Sequence, residues 1–120
     1  MGRKNVVKTY KIMEEADLSG NIESSVTNVI NLDSGSIHII WTGSSPVGTI
    51  TVEATNDDPE SSSAQYRELG LGSAISISGN SGEHDIVFTY LPFRAIRLIY
   101  TRSSGTGSIS ATLSAKTLGA

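Results

Sequence analysis

From Ile37 onward the apolar residues of this chain return at every second position, and hardly any return at the 3.6-residue spacing of a helix. A period of two sends alternate side chains to opposite faces of a strand, so the pattern restricts the chain to β-structure with one face turned to a core. Ile37, Ile39 and Trp41 share one face, and Ile50, Val52 and Ala54 share another, opposite Thr49, Thr51, Glu53 and Thr55. Ile75 and Ile77 alternate with serines, and Ile86, Phe88 and Tyr90 alternate with Asp85, Val87 and Thr89. Ile96, Leu98 and Tyr100, then Ile109, Ala111, Leu113 and Ala115, complete the series.

The breaks between these runs define the architecture. Ser103-Ser104-Gly105-Thr106-Gly107 reads as the connection of a hairpin between the last two strands. All 3 prolines, Pro46, Pro59 and Pro92, sit where strands should stop, because proline cannot donate to a ladder. Upstream, Val6 to Met13 and Ser24 to Leu32 are further candidate strands, separated by the turn-rich stretch from Asp17 to Asn21. About eight short strands punctuated by turns predict an all-β fold, a two-sheet antiparallel β-sandwich or jelly roll. No internal repeat points to a solenoid or propeller. The expected division is residues 1–16 as an N-terminal basic arm or first strand and 17–120 as the sandwich.

With 120 residues the chain makes one domain with a real but thin core. It has no cysteine, which removes disulfides, thiolate metal sites and cysteine nucleophiles together. No run approaches the roughly 20 apolar residues of a membrane helix, and Met1 to Tyr10 lacks the apolar segment of a signal peptide. The expectation is a soluble protein without a membrane partner. A net charge of -3 also argues against a nucleic-acid partner, which calls for a basic face. Arg3, Lys4, Lys8 and Lys11 nevertheless make the amino terminus locally basic, either as a solvated tail or as a docking arm.

The sequence offers no catalytic constellation and no cofactor site. Serines are plentiful, but none lies in a Gly-x-Ser-x-Gly elbow, and His38 and His84 read as surface histidines without a partner. Asp57 and Asp58, in Asn56-Asp57-Asp58-Pro59-Glu60, are weak metal candidates that lack calcium-loop spacing; a solvated turn is the plainer reading. A glycosidase would need two carboxylates across a cleft, and the spacing of Asp57, Asp58, Glu83 and Asp85 places no two of them so. Trp41 and Tyr100 share faces with aliphatic residues and read as core, whereas Tyr66 and Phe93 lie near loops and are open to a ligand. Arg94, Arg97 and Arg102 flank the penultimate strand, where they could blunt a sheet edge or pair with a neighbouring subunit. Ile40 and Ile99 lie opposite the main apolar faces of their strands, which suggests cover by a second copy.

The run from Trp41 to Glu53, then Asn56-Asp57, Pro92 to Thr101 and Ser104 to Ile109, resembles a family of small β-rich virion proteins from tailed bacteriophages, with related segments in distal domains of phage-like fibres. The resemblance covers most of the chain from Asp17 to Lys116. It implies a non-enzymatic structural component of a phage particle, a decoration protein on the capsid or a part of the tail, baseplate or fibre, located in the virion. The partners so implied are other virion proteins of the capsid or tail, with homo-oligomerisation expected.

On that reading the basic arm adds a strand to a neighbour's sheet edge, and deleting Met1 to Met13 should weaken assembly while leaving the domain folded. The alternative is a carbohydrate- or receptor-binding module at a fibre tip, with Tyr66, Phe93 and the acidic loop presented to a glycan.

Overall fold

The alternating segments form strands as expected, but two of them run on far past their sequence breaks. The computed structural model describes residues 5–29, 32–69, 75–88 and 93–118, the side chains of 5–8, 117 and 118 excepted. In chain order the strands are β1 (Asn5–Asp17), β2 (Ile22–Glu23), β3 (Thr27–Asn28), β4 (Ser34–Thr55), β5 (Arg67–Glu68), β6 (Ile75–Ile77), β7 (Ser81–Phe88) and β8 (Ala95–Leu118). All described pairings are antiparallel. The fold is an antiparallel β-sandwich of the jelly-roll kind, with β4 and β8 as two long strands among short ones.

These two strands pair along almost their whole length, from Ser34 opposite Lys116 to Thr55 opposite Ala95, and the other strands lie along the flanks of this ribbon. In one half, β1 pairs with the end of β8 and β7 with the start of β4, giving the order β1-β8-β4-β7. In the other half, β2 and β3 flank the start of β8, while β5 and β6 flank the end of β4. The inward residues of both halves join a single core: Ile37, Ile39, Leu113 and Ile109 from one, Ile50, Val52, Leu98 and Tyr100 from the other. The ribbon therefore folds over on itself, and each long strand serves both sheets.

The fold-over explains why the expected hairpin is absent. Ser103 to Gly107 lies inside β8, and Pro46 lies inside β4. The register slips between Ser44 and Gly48, where Ser45 and Pro46 stand against Gly105. Gly105 has φ +78° and Ser45 φ +49°, so a bulge bends both strands at one corner. An unpaired bulge position is where a strand tolerates proline, since no ladder bond is lost. Turn-type residues here turn the corner of a sandwich without reversing the chain. The Ser78-Gly79-Asn80 turn braces the corner: Asn80 Oδ1 accepts from the Ser45 amide at 2.9 Å, and Asn80 O accepts from the Gly43 amide at 2.8 Å.

The residues assigned to the core from their alternation are buried, including Ile75, Ile77, Ile86 and Phe88; Tyr90 lies outside the described residues. Of the strand expected over Ser24 to Leu32, the described residues form only the short pairing of β3, with β2 just ahead of it; Ile30 and Asn31 lie outside the described residues. Side chains take over the ladder there. Ser24 Oγ accepts from the Leu98 amide at 2.8 Å, and Asn21 Oδ1 accepts from the Arg102 amide at 2.8 Å. At the amino terminus, β1 brings Ile12 and Met13 into the core, so Val6 to Met13 completes its own chain's sheet as a strand.

Candidate functional site

One end of the sandwich carries a built cleft. Beyond β4 the chain makes a compact loop, residues 56–66, before returning as β5. Asp57 Oδ2 accepts from the Gln65 amide at 2.8 Å and pins the two ends of that loop together. Thr55 Oγ1 accepts from the Asp57 amide, and Asp58 Oδ1 accepts from the Glu60 amide, each at 3.0 Å. Asp58 thus closes an Asx turn and Thr55 its hydroxyl counterpart, while Asp57 spans the loop. Among the described residues no three His, Cys, Asp or Glu groups gather as metal ligands.

Between this loop and the start of β8 lies a cleft of about 460 Å³. Phe93, Leu69 and Ala54 supply its apolar wall, and Asn56, Asp57, Gln65, Arg67 and Glu68 its polar rim. The Arg94 amide donates to Thr55 O at 3.0 Å, which fixes Phe93 beside the end of β4. Phe93 and Asp57, singled out separately in the sequence, come together here. Tyr66 does not join them.

Instead, Tyr66 lies beneath the Arg97 guanidinium, 3.8 Å from ring centroid to Cζ. Arg97 in turn bonds Glu53 through Nε at 2.8 Å and Nη2 at 2.7 Å, and Glu23 through Nη1 at 2.7 Å. A guanidinium held in this way is a rigid lid, and stacking on the ring adds to it. The loop is therefore anchored twice, at Asp57–Gln65 and at Tyr66–Arg97. β8 has neighbours on both sides, so Arg97 ties its own chain across β2, β8 and β4 rather than guarding an edge. Nothing in the sequence announced this network, because it depends on the pairing of Glu53 with Arg97 and on β2 lying beside β8.

A second cluster corrects the reading of His38. Its Nδ1 bonds Asp85 Oδ1, and Nε2 lies 3.9 Å from Glu83 Oε2. The hydrogen bond to Asp85, aided by the two carboxylate charges and opposed by desolvation, holds the imidazole pKa above its ordinary value. Asp85, His38 and Thr112 occupy one row across β7, β4 and β8. The order resembles an acid, base and hydroxyl relay, but the imidazole nitrogen not bonded to Asp85 faces Glu83, and the group stands on an open sheet face with no nucleophile bonded to it among the described residues.

The other candidates are dispersed. Arg3 and Lys4 lie outside the described residues, and Lys8 is placed only through its backbone, opposite Ala115. Lys11 is exposed and pairs with Glu14 at 3.1 Å. Ile40 is 45% exposed on the outer face of the first half, while Ile99 is half-buried between Glu23 and Thr51 on the second. Arg94 is half-buried, and its Nε has no hydrogen-bond partner among the described residues.

No protein-family model matches the chain, and no curated protein matches it in sequence. Solved structures do match. A chain of the T13 IBDV viral particle aligns over 94% of this chain with a TM-score of 0.61 and 15% identity. A chain of the Gx strain of infectious bursal disease virus aligns over 97% with a TM-score of 0.58 and 17% identity. The fold is one found in virus particles. This chain spans only about a third of those two, 31% and 33% of their lengths. The SPBc2 prophage-derived protein YomS has a similar size as well as fold: TM-score 0.53, 12% identity, 92% of this chain and 95% of that one.

Proposed function

We propose that this chain is a non-enzymatic structural protein of a phage virion, acting by protein–protein assembly with capsid or tail proteins and with copies of itself. The observation that carries the proposal is the fold: it is shared with chains of viral particles over nearly all of this chain, and with a prophage-derived protein over nearly all of both. The resemblance of the sequence to small virion proteins of tailed phages agrees with it, and the role proposed on that resemblance is capsid decoration or a tail or fibre component. The paired β1 changes how assembly would work. Contacts come from sheet edges, loops and outward side chains, and a donated arm would first have to leave its own sheet.

Quantitative mass spectrometry of density-purified particles tests the proposal. A fixed ratio of this chain to the major capsid or tail protein is expected. Its presence in the infected-cell lysate but absence from purified particles would overturn the virion role.

A further inference from the structure

We infer that the cleft between the 56–66 loop and Phe93 binds a neutral pyranose unit of a surface glycan. The inference rests on the proposed virion role, to which it adds the chemistry of one surface contact. The cleft volume, about 460 Å³, falls within the roughly 300–1,000 Å³ of small-molecule sites. Phe93 lines one wall and gives it aromatic, apolar surface against which the C–H side of a sugar ring can pack.

The rim is mixed in a way that suits hydroxyl groups, which both donate and accept. Arg67 offers donors only, Glu68 and the Asp57 oxygen not bonded to the Gln65 amide offer acceptors, and Asn56 offers both. Gln65, whose Nε2 already donates to Ser63 O at 3.3 Å, offers its carbonyl oxygen and a second N–H. Arg67 and Glu68 are committed to no ion pair or side-chain hydrogen bond among the described residues, so their bonding capacity is open to a ligand. An anion is disfavoured by two rim carboxylates against one guanidinium, with Asp58 and Glu60 close by in sequence. A cationic side chain would have to sit beside Arg67. A purely apolar ligand would leave the rim unsatisfied.

The cleft is also preorganised, and this separates it from an incidental surface hollow. Its loop is held by the Asp57–Gln65 bond at one end and by Tyr66 under Arg97 at the other. Arg97 is itself fixed by Glu23 and Glu53. Tyr66 and Arg97 are thus positioning residues, and a ligand meets a rim whose ordering cost has largely been met in folding.

The test is an amide chemical-shift titration of the isotope-labelled full chain with methyl glucoside, methyl galactoside and methyl N-acetylglucosaminide. Sialic acid, inorganic phosphate and an oligolysine peptide serve as contrasting probes. At least one neutral pyranoside should give saturable shifts confined to residues 54–57, 65–69 and 93. Arg67→Ala and Asn56→Ala alter exposed side chains and leave the fold intact; each should weaken that binding about tenfold, the loss expected for one charged or one well-placed hydrogen bond. No saturable shift at those amides with any neutral pyranoside, or shifts there with phosphate or oligolysine instead, would overturn the inference. Particle mass spectrometry is unaffected by either result, so a failed cleft and a failed virion role are told apart.

Discussion

Replacing Gly105 by alanine tests the bent ribbon more directly than any core truncation. An added Cβ at this position would lie 2.0 Å from Ser45 O, 2.5 Å from Ser45 C and 2.7 Å from Pro46 Cα. These are backbone atoms of the facing strand, so no flexible side chain can swing away. The left-handed φ of +78° costs a non-glycine residue about 1–2 kcal/mol, and forcing the strands apart adds about 1–3 kcal/mol. The sum, about 2–5 kcal/mol, is a large part of the roughly 5–15 kcal/mol that stabilises a domain. At about 4 °C per kcal/mol it lowers the melting temperature by roughly 8–20 °C.

Gly79→Ala supplies the control, because Gly79 has φ +81° but its added Cβ would meet nothing nearer than Ser81 O at 3.9 Å. That variant carries the conformational cost alone, about 1–2 kcal/mol, or roughly 4–8 °C. Thermal and urea unfolding of both proteins provide the comparison. A hairpin tip at Gly105, as the sequence suggests, would make the two variants equally costly, and equal losses would refute the corner.

Three further outcomes are expected. Because Asp85 holds the His38 pKa above its ordinary value, the pair's contribution to stability is fully present below about pH 6.5 and is lost as pH rises through the higher folded-state value. In Asp85→Asn the imidazole titration followed by NMR should fall back toward the ordinary value, and an unmoved midpoint would remove the pairing. Tyr100 is fully buried and its hydroxyl has no partner among the described residues, so Tyr100→Phe should be neutral or stabilising by about 1 kcal/mol in urea unfolding. A loss of that size in its place would show that the hydroxyl is bonded. Deleting Met1 to Met13 removes most of β1 and the buried Ile12 and Met13, each of which costs about 2–5 kcal/mol to truncate, so cooperative melting by circular dichroism should disappear. A truncated chain that melts within a few degrees of the full one would restore the free-arm reading.

What the sequence made legible was parity. Alternation assigned Ile37, Ile39, Ile50, Val52, Leu98 and Leu113 to the core correctly, because burial of one strand face is a local property of the pattern. Pairing is not local. His38 and Asp85 each pointed outward by parity, but only the register of β4 against β7 sets them side by side. The same holds for Glu53 and Arg97, 44 residues apart, and for the cleft, which joins Phe93 to the loop after β4. The corner failed for a different reason. Glycine and proline mark a departure from regular backbone, and a bulge that bends a strand draws on the same residues as a turn that ends it.

The arrangement of outward apolar residues limits what kind of assembly such a sandwich can support. Ile40, at 45% exposure, and Val87, at 73%, lie on the same outer face but are separated by the His38–Asp85 row. The rest of that face along β8 is Ser110, Thr112 and Ser114, opposite Ile40, His38 and Ser36. A surface patterned in this way lacks the contiguous apolar core of an obligate interface, where a central patch of aromatic and aliphatic residues is fully desolvated. Single contacts between copies through this face would therefore be weak, and a particle would need many of them at once, where the high effective concentration of neighbouring copies turns modest affinity into occupancy. The proposed glycan cleft follows the same logic. One pyranose in a single open cleft binds weakly alone, and a repeated array of such sites on a particle gains avidity without any new contact.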